Sequence, residues 1–162
     1  MPRVYVSIGS NIERVANIRA GVAALRECFG ELVVSSIYES QPVGFDGDNF
    51  YNLVVGFDTS QDMHDVNTHL HDIEHQYGRE RNGQRFNSRT LDLDLLLYGD
   101  AAIHEHDLTL PRDEILRYAF VLCPLAEIAG DEKHPQNGKS YAVLWHEFEQ
   151  HSQPLWVVDF TW

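Results

Sequence analysis

Residues 89–98 read Arg-Thr-Leu-Asp-Leu-Asp-Leu-Leu-Leu-Tyr, and the fold turns on how this stretch is read. Leu93, Leu95 and Leu97 alternate with Asp92 and Asp94 at the two-residue period of a β-strand. The alternation predicts a half-buried strand over 91–98, with leucines toward the core and both carboxylates on the opposite, functional face. Two carboxylates so placed point one way and suit a hard cation such as magnesium. Just upstream, Arg79, Arg81, Arg85 and Arg89 supply four of the chain's twelve basic side chains, in a protein of net charge −13. Guanidinium groups fork onto phosphate oxygens. Arginines running into an Asp pair therefore predict a polyphosphate site.

Working outward, Val66, Leu70, Ile73 and Tyr77 share one face of a helix expected over 63–77, ended by Gly78. Before it, Leu53–Phe57 reads as a strand, and 40–49, with Pro42, Gly44 and Gly47, as a loop. Leu32–Tyr38 reads as a strand rich in β-branched residues. Val15, Ile18, Val22, Leu25 and Cys28 recur at helical spacing, with Gly30 at the C-terminal stop and Gly9-Ser10-Asn11 as turning and capping residues at the start. Arg3–Ser7 alternates as a strand. Downstream, 108–111 reads as a short edge segment and 118–128 as a helix interrupted or begun near Pro124. A final helix over 141–151 and an extended tail over 155–162 follow. The order strand-helix-strand-strand-helix-strand, with additions, matches the split βαβ arrangement of a ferredoxin-like α+β domain.

At 162 residues the chain fits one domain, 1–162, that needs no covalent staple. Cys28 and Cys123 show no paired spacing and read as reduced thiols, which with the lack of a signal-peptide or membrane-length apolar run predicts a cytoplasmic protein. The acidic balance argues against nucleic-acid binding, which relies on a broad basic surface, and one small basic loop suits a triphosphate better than a duplex. No membrane partner is expected. His71 and His75 stand one turn apart, but Asp72 occupies the position where a zinc-peptidase motif has Glu, so the histidines read as a polar helix face.

Five blocks together resemble the 6-hydroxymethyl-7,8-dihydropterin pyrophosphokinase family of folate synthesis. They are Ser7-Ile8-Gly9-Ser10-Asn11, Tyr38-Glu39-Ser40-Gln41-Pro42-Val43-Gly44, Phe50-Tyr51-Asn52, Gly78-Arg79-Glu80-Arg81 and Arg89-Thr90-Leu91-Asp92-Leu93-Asp94. Weaker matches are Leu110-Pro111 and 120–125. The resemblance implies transfer of pyrophosphate from ATP to a reduced pterin, with release of AMP, by a monomer. It implies two magnesium ions on Asp92 and Asp94, catalytic roles for Arg79 and Arg89, and ATP contacts from Glu74, Arg81, Arg85 and Arg89. It also implies a pterin slot between Phe50 and Phe120, with Asn52 and the backbone near Ser40 and Val43 on its rim. Without that match, Glu74 reads equally as a boundary carboxylate pairing with Arg79.

The chain departs from the family pattern at Phe86 and Asn87, where Trp and a small residue are usual. It departs again after Leu110-Pro111, where a phosphate-contacting His and, six residues on, an Arg are replaced by Arg112 and Tyr118. Arg112 and the neighbouring Arg117 are cations in the same segment and are expected to keep the nucleotide contact. The competing expectation is a relative that binds ATP or a pterin without turnover, as a sensor or partner subunit.

Overall fold

β1 (Arg3–Ser10) is buried along nearly its whole length because it lies between two other strands, and the fold is built around it. In the computed structural model, which describes residues 1–77 and 90–162, it is followed by α1 (Arg14–Phe29), β2 (Val33–Val34), β3 (Ile37–Ser40), β4 (Phe50–Asp58), α2 (Met63–Gln76) and β5 (Asp92–Tyr98). Then come β6 (Ile103–His104), β7 (Thr109–Leu110), α3 (Glu114–Arg117), α4 (Ala119–Ala129), α5 (Tyr141–Glu147) and β8 (Trp156–Val158). The main sheet has the order β5-β1-β4-β3-β8, with β2 also on β4, and its neighbours pair antiparallel. Two helices between strands, with β1 and β4 in the middle, give the expected ferredoxin-like α+β arrangement, and β8 extends one edge. No helix among the described residues is long and apolar enough to cross a membrane.

The pleat divides the core. Val4, Val6 and Ile8 point with Leu53, Val55, Phe57, Leu93 and Leu95 toward Ile18, Val22 and Leu25 of α1 and Val66, Leu70 and Ile73 of α2. Tyr5 and Val54 point the other way, onto Val121, Leu122 and Leu125 of α4 and Tyr141 of α5. α4 covers only part of this second face, and the uncovered part carries Ser7, Gly9, Asn52, Asp92 and Asp94, which register as neighbours across β4, β1 and β5.

Several elements differ from the sequence reading. Leu97 does not share the face of Leu93 and Leu95. Tyr5 pairs with Leu97 but Val6 with Leu95, so β5 carries one extra residue there, and the bulge turns Leu97 onto the second face beside Leu96. The expected strand over 32–38 is broken for a similar reason. Val34 pairs with Val55 and Tyr38 with Asn52, leaving one extra residue between them, where Ser35 exchanges hydrogen bonds with Val54 through its own N–H and Oγ.

Glu13, in left-handed geometry at φ 42°, stands at the N-cap of α1, and among the described residues no side chain caps that helix. Ser10 instead turns its hydroxyl to the Ile12 carbonyl, and Asn11 donates to the Asp48 carbonyl, tying β1 to the loop before β4. Gly30 does end α1, at φ 85°. Val15 is exposed, because the α1 stripe turns through Ile18, Gly21, Val22 and Leu25. Pro124 lies inside α4 rather than breaking it, and the last helix stops at Glu147, with a short 3-10 turn at Gln150–Ser152.

Candidate active site

The uncovered part of the second face forms the floor of a cavity of about 540 Å³. Its floor comes from the sheet: Ser7 and Gly9 from β1, Asn52 from β4, Asp92, Asp94 and Leu96 from β5. One wall is the segment from Arg112 to Val121, and another the loop with Gln41, Val43 and Phe45. Ser40, Val43, Phe50, Asn52 and Phe120, the expected pterin residues, all line it, as do Asp92, Asp94, Arg112 and Arg117. Arg79, Arg81, Arg85 and Arg89 lie outside the described residues, with the Phe86 and Asn87 departures and the expected Arg79 partner of Glu74.

At the aromatic end, Asn52 is almost wholly buried and donates from Nδ2 to Ser40 Oγ at 2.7 Å, which fixes the amide plane. Gly9 is its cross-strand neighbour, and a Cβ there would stand 3.1 Å from Asn52 Oδ1, so the absence of a side chain keeps the floor open. Phe50 meets Phe45 edge-on at 6.3 Å, and Phe120 stacks on Tyr118 at 5.0 Å. Tyr118, at the position expected to carry an arginine, thus stiffens the opposite aromatic wall at the start of α4.

At the charged end, Asp92 and Asp94 are half-buried on one face of an edge strand. Arg112 is brought to them through its backbone: its N–H donates to the carbonyl of Leu96, the bulge residue of β5, at 3.0 Å. The guanidinium then forks, with Nη2 3.3 Å from Asp94 Oδ1 and Nε 2.7 Å from Glu114 Oε2. Burial works against its charge, but Asp94, Glu114 and Asp92 outweigh burial and raise its pKa. Glu114 also pairs with Arg117 at 3.6 Å, and Arg117 lies over the Tyr118 ring.

Glu74 is not in the cavity wall. Its carboxylate is buried between α2 and the outer edge of β5, where Oε2 accepts the Leu93 N–H at 2.8 Å and Oε1 lies 3.2 Å from His71 Nδ1. Among the described residues Glu74 is a buried acceptor that holds the Asp-bearing strand. Among the described residues no three His, Cys, Asp or Glu side chains gather as a metal cage. Two hard carboxylates on one face nevertheless fit magnesium, which commonly takes one or two protein carboxylates and completes its shell from substrate phosphates and water.

Sequence reasoning missed Glu114, the stacking of Tyr118 on Phe120 and the open floor at Gly9. Glu114 stands two residues past Arg112, a spacing without a signature. Gly9 reads in sequence as a turning residue at a strand end and as part of a family block, although Gly inside a strand often marks a close approach.

Comparison with known proteins identifies the family. A model of the family described as 7,8-dihydro-6-hydroxymethylpterin-pyrophosphokinase matches residues 5–130. A Haemophilus influenzae protein named 2-amino-4-hydroxy-6-hydroxymethyldihydropteridine pyrophosphokinase is 34% identical over 155 residues, covering 93% of this chain and 96% of its own. The folate synthesis bifunctional protein of Arabidopsis thaliana is 35% identical over 153 residues, and the chain spans 31% of that relative's length. Among solved structures, a Plasmodium falciparum HPPK-DHPS chain superposes with a TM-score of 0.74 at 14% identity, covering 90% of this chain and 44% of its own, which supports the fold. By the extent of the family match and the near full-length likeness to the Haemophilus protein, this chain belongs to the 7,8-dihydro-6-hydroxymethylpterin-pyrophosphokinase family.

Proposed function

We propose that the protein transfers the terminal pyrophosphoryl group of ATP to the hydroxymethyl oxygen of 6-hydroxymethyl-7,8-dihydropterin in folate synthesis. The hydroxyl oxygen bonds to the β-phosphorus, the bond from that phosphorus to the α–β bridging oxygen breaks, AMP leaves with that oxygen, and the hydroxyl proton passes to solvent. The observation carrying this reading is that one cavity joins an aromatic, amide-rimmed end to a carboxylate and guanidinium end, the two chemistries that a pterin and a polyphosphate require.

Phe50 and Phe120 take the faces of the heterocycle, while Asn52 and the backbone near Ser40 and Val43 meet its polar rim. Ser40 holds the Asn52 amide in one plane, so the rim is set before the pterin arrives. Asp92 and Asp94 hold two magnesium ions, which when bound neutralise charge on the phosphates. Arg112 and Arg117 serve the phosphate tail together with Arg79, Arg81, Arg85 and Arg89, and Glu74 acts through the strand it anchors. The working unit in this reading is a monomer. The cytoplasm, where Cys28 and Cys123 stay reduced, is the fitting compartment.

Incubation with ATP, magnesium and the hydroxymethyl dihydropterin, followed by separation of the nucleotides, tests the proposal. AMP and pterin diphosphate in equal amounts are expected. ADP would replace the reaction by ordinary kinase chemistry. Intact ATP alongside pterin binding would favour a sensor, the reading that the departures at Arg112 and Tyr118 motivate.

A further inference from the structure

We infer that Arg112 is a resident counter-cation of the carboxylate site, displaced from Asp94 when a divalent metal arrives and kept in the cavity by Glu114. This deepens the proposed function and rests on Asp92 and Asp94 being the metal carboxylates.

Asp92 and Asp94 lie two residues apart on one strand face, and two negative charges so close repel one another unless a cation stands by. The chain supplies that cation from its own backbone: the Arg112 N–H is fixed to the Leu96 carbonyl, two residues past Asp94 on the same strand. The guanidinium Nη2 then lies 3.3 Å from Asp94 Oδ1. A divalent ion bound by the same carboxylate would face this positive charge at close range, so metal and guanidinium compete for Asp94.

Glu114 determines where the displaced guanidinium goes. Its Oε2 stands 2.7 Å from Nε as an ion pair, closer than the Asp94 contact, and Glu114 is itself paired with Arg117 at 3.6 Å. When Asp94 turns to a metal, the guanidinium keeps one anchor, stays at the cavity wall and turns its Nη groups toward a phosphate tail. Glu114 is thus a positioning residue, and metal binding is coupled to phosphate binding through the release of Arg112. A lysine would meet the carboxylates as a point charge, without the planar fork that assigns each to its own nitrogen.

The test is Mn²⁺ binding by electron paramagnetic resonance on the full chain, first with the metal alone and then with an α,β-methylene ATP analogue, whose bridging carbon blocks the reaction. Arg112→Gln is expected to tighten Mn²⁺ alone by about fivefold, the upper range of a partly exposed pair, and to weaken the Mn²⁺ analogue complex about tenfold. Glu114→Gln, with the guanidinium left to Asp94, is expected to weaken Mn²⁺ alone. A merely structural role would lower both affinities together. If Arg112→Gln leaves Mn²⁺ binding unchanged or weaker while Asp92→Ala and Asp94→Ala abolish it, the counter-cation idea fails and the metal site stands. If the aspartate variants bind Mn²⁺ as tightly as the wild type, the metal reading itself fails, and this inference with it.

Discussion

Replacing Gly9 by alanine should separate substrate binding from stability. Gly9 lies between Asn52 and Asp92 on the cavity floor, in register with both. Its φ is not among the positive values in this chain, so alanine fits the backbone, and removing a glycine from a strand interior returns roughly 0.5–1 kcal/mol. The new methyl, however, would stand 3.1 Å from Asn52 Oδ1 and 3.7 Å from the Phe50 ring. The amide must retreat by a few tenths of an ångström, which strains its bond to Ser40 Oγ, a contact contributing on the order of 1 kcal/mol. These terms nearly cancel in the folding free energy. They do not cancel in binding, because both the displaced amide and the methyl intrude on the pterin slot. Pterin affinity should fall about fivefold to tenfold, or roughly 1–1.4 kcal/mol, with the melting temperature and the affinity for the ATP analogue close to wild type. Fluorescence titration with the pterin, beside calorimetry, measures both. Wild-type pterin affinity in Gly9→Ala would refute the placement of the slot over this strand.

Asp92→Ala and Asp94→Ala should each reduce AMP formation at least a hundredfold and leave the circular dichroism spectrum unchanged, since neither side chain packs in the core; an unfolded variant would refute that placement. Glu74→Ala removes the acceptor of the Leu93 N–H and should cost about 1–3 kcal/mol in urea denaturation, most of it recovered in Glu74→Gln; a loss below about 0.5 kcal/mol would count against a structural role. His134 is buried, and burial lowers its pKa below the ordinary 6.5, while its Nδ1 accepts N–H bonds from Gln136 and Asn137. The unfolded chain therefore binds this proton more readily, so its contribution is present above pH 6.5 and is lost as pH falls through the lower folded value. Melting temperature against pH should drop less steeply on acidification in His134→Gln, and an identical slope in both proteins would show that His134 is not responsible.

The elements legible in the sequence were those in which one period holds from end to end. α2 shows its apolar stripe at Val66, Leu70 and Ile73 because a single face of it is buried. The alternation from Asp92 to Leu95 gave the correct faces because nothing interrupts the ladder there. The errors lie where one residue is added. No composition signal distinguishes Leu96 and Leu97 from their neighbours, and the bulge exists because of how β5 lies on Tyr5 of β1, a contact between distant segments. The same holds at Ser35 and Ser36, where Glu127 of α4 accepts from the Ser36 N–H and hydroxyl, so a tertiary partner replaces the ladder. Glu74 reads evenly in sequence as a nucleotide contact or as a boundary carboxylate; only the fold reveals the strand-edge N–H that makes its burial favourable. The residues expected at a pterin through the family resemblance line one cavity, whereas Phe50, Asn52 and Phe120 share no pattern that spacing alone could detect.

The bulge in β5 also explains how one strand face can be wet at one end and dry at the other. On a regular strand, Asp92, Asp94 and Leu96 would share the second face and Leu97 would return to the first, beside Leu95. The extra residue brings Leu97 to the second face as well, where Leu96 and Leu97 pack with Tyr5, Val54 and the helix α4. The apolar contact that seats α4 is thereby concentrated immediately beyond Asp94, and α4 begins with Phe120 at the cavity rather than over the carboxylates. The Leu96 carbonyl, on the outer edge of the sheet, takes the Arg112 N–H and so fixes the guanidinium beside Asp94. A single inserted residue thus sets the distance between the hydrophobic seat of α4, the aromatic wall it carries and the charged end of the cavity. Because a change of register reverses the face of every side chain beyond it, these three features are coupled, and none can shift along β5 without moving the others.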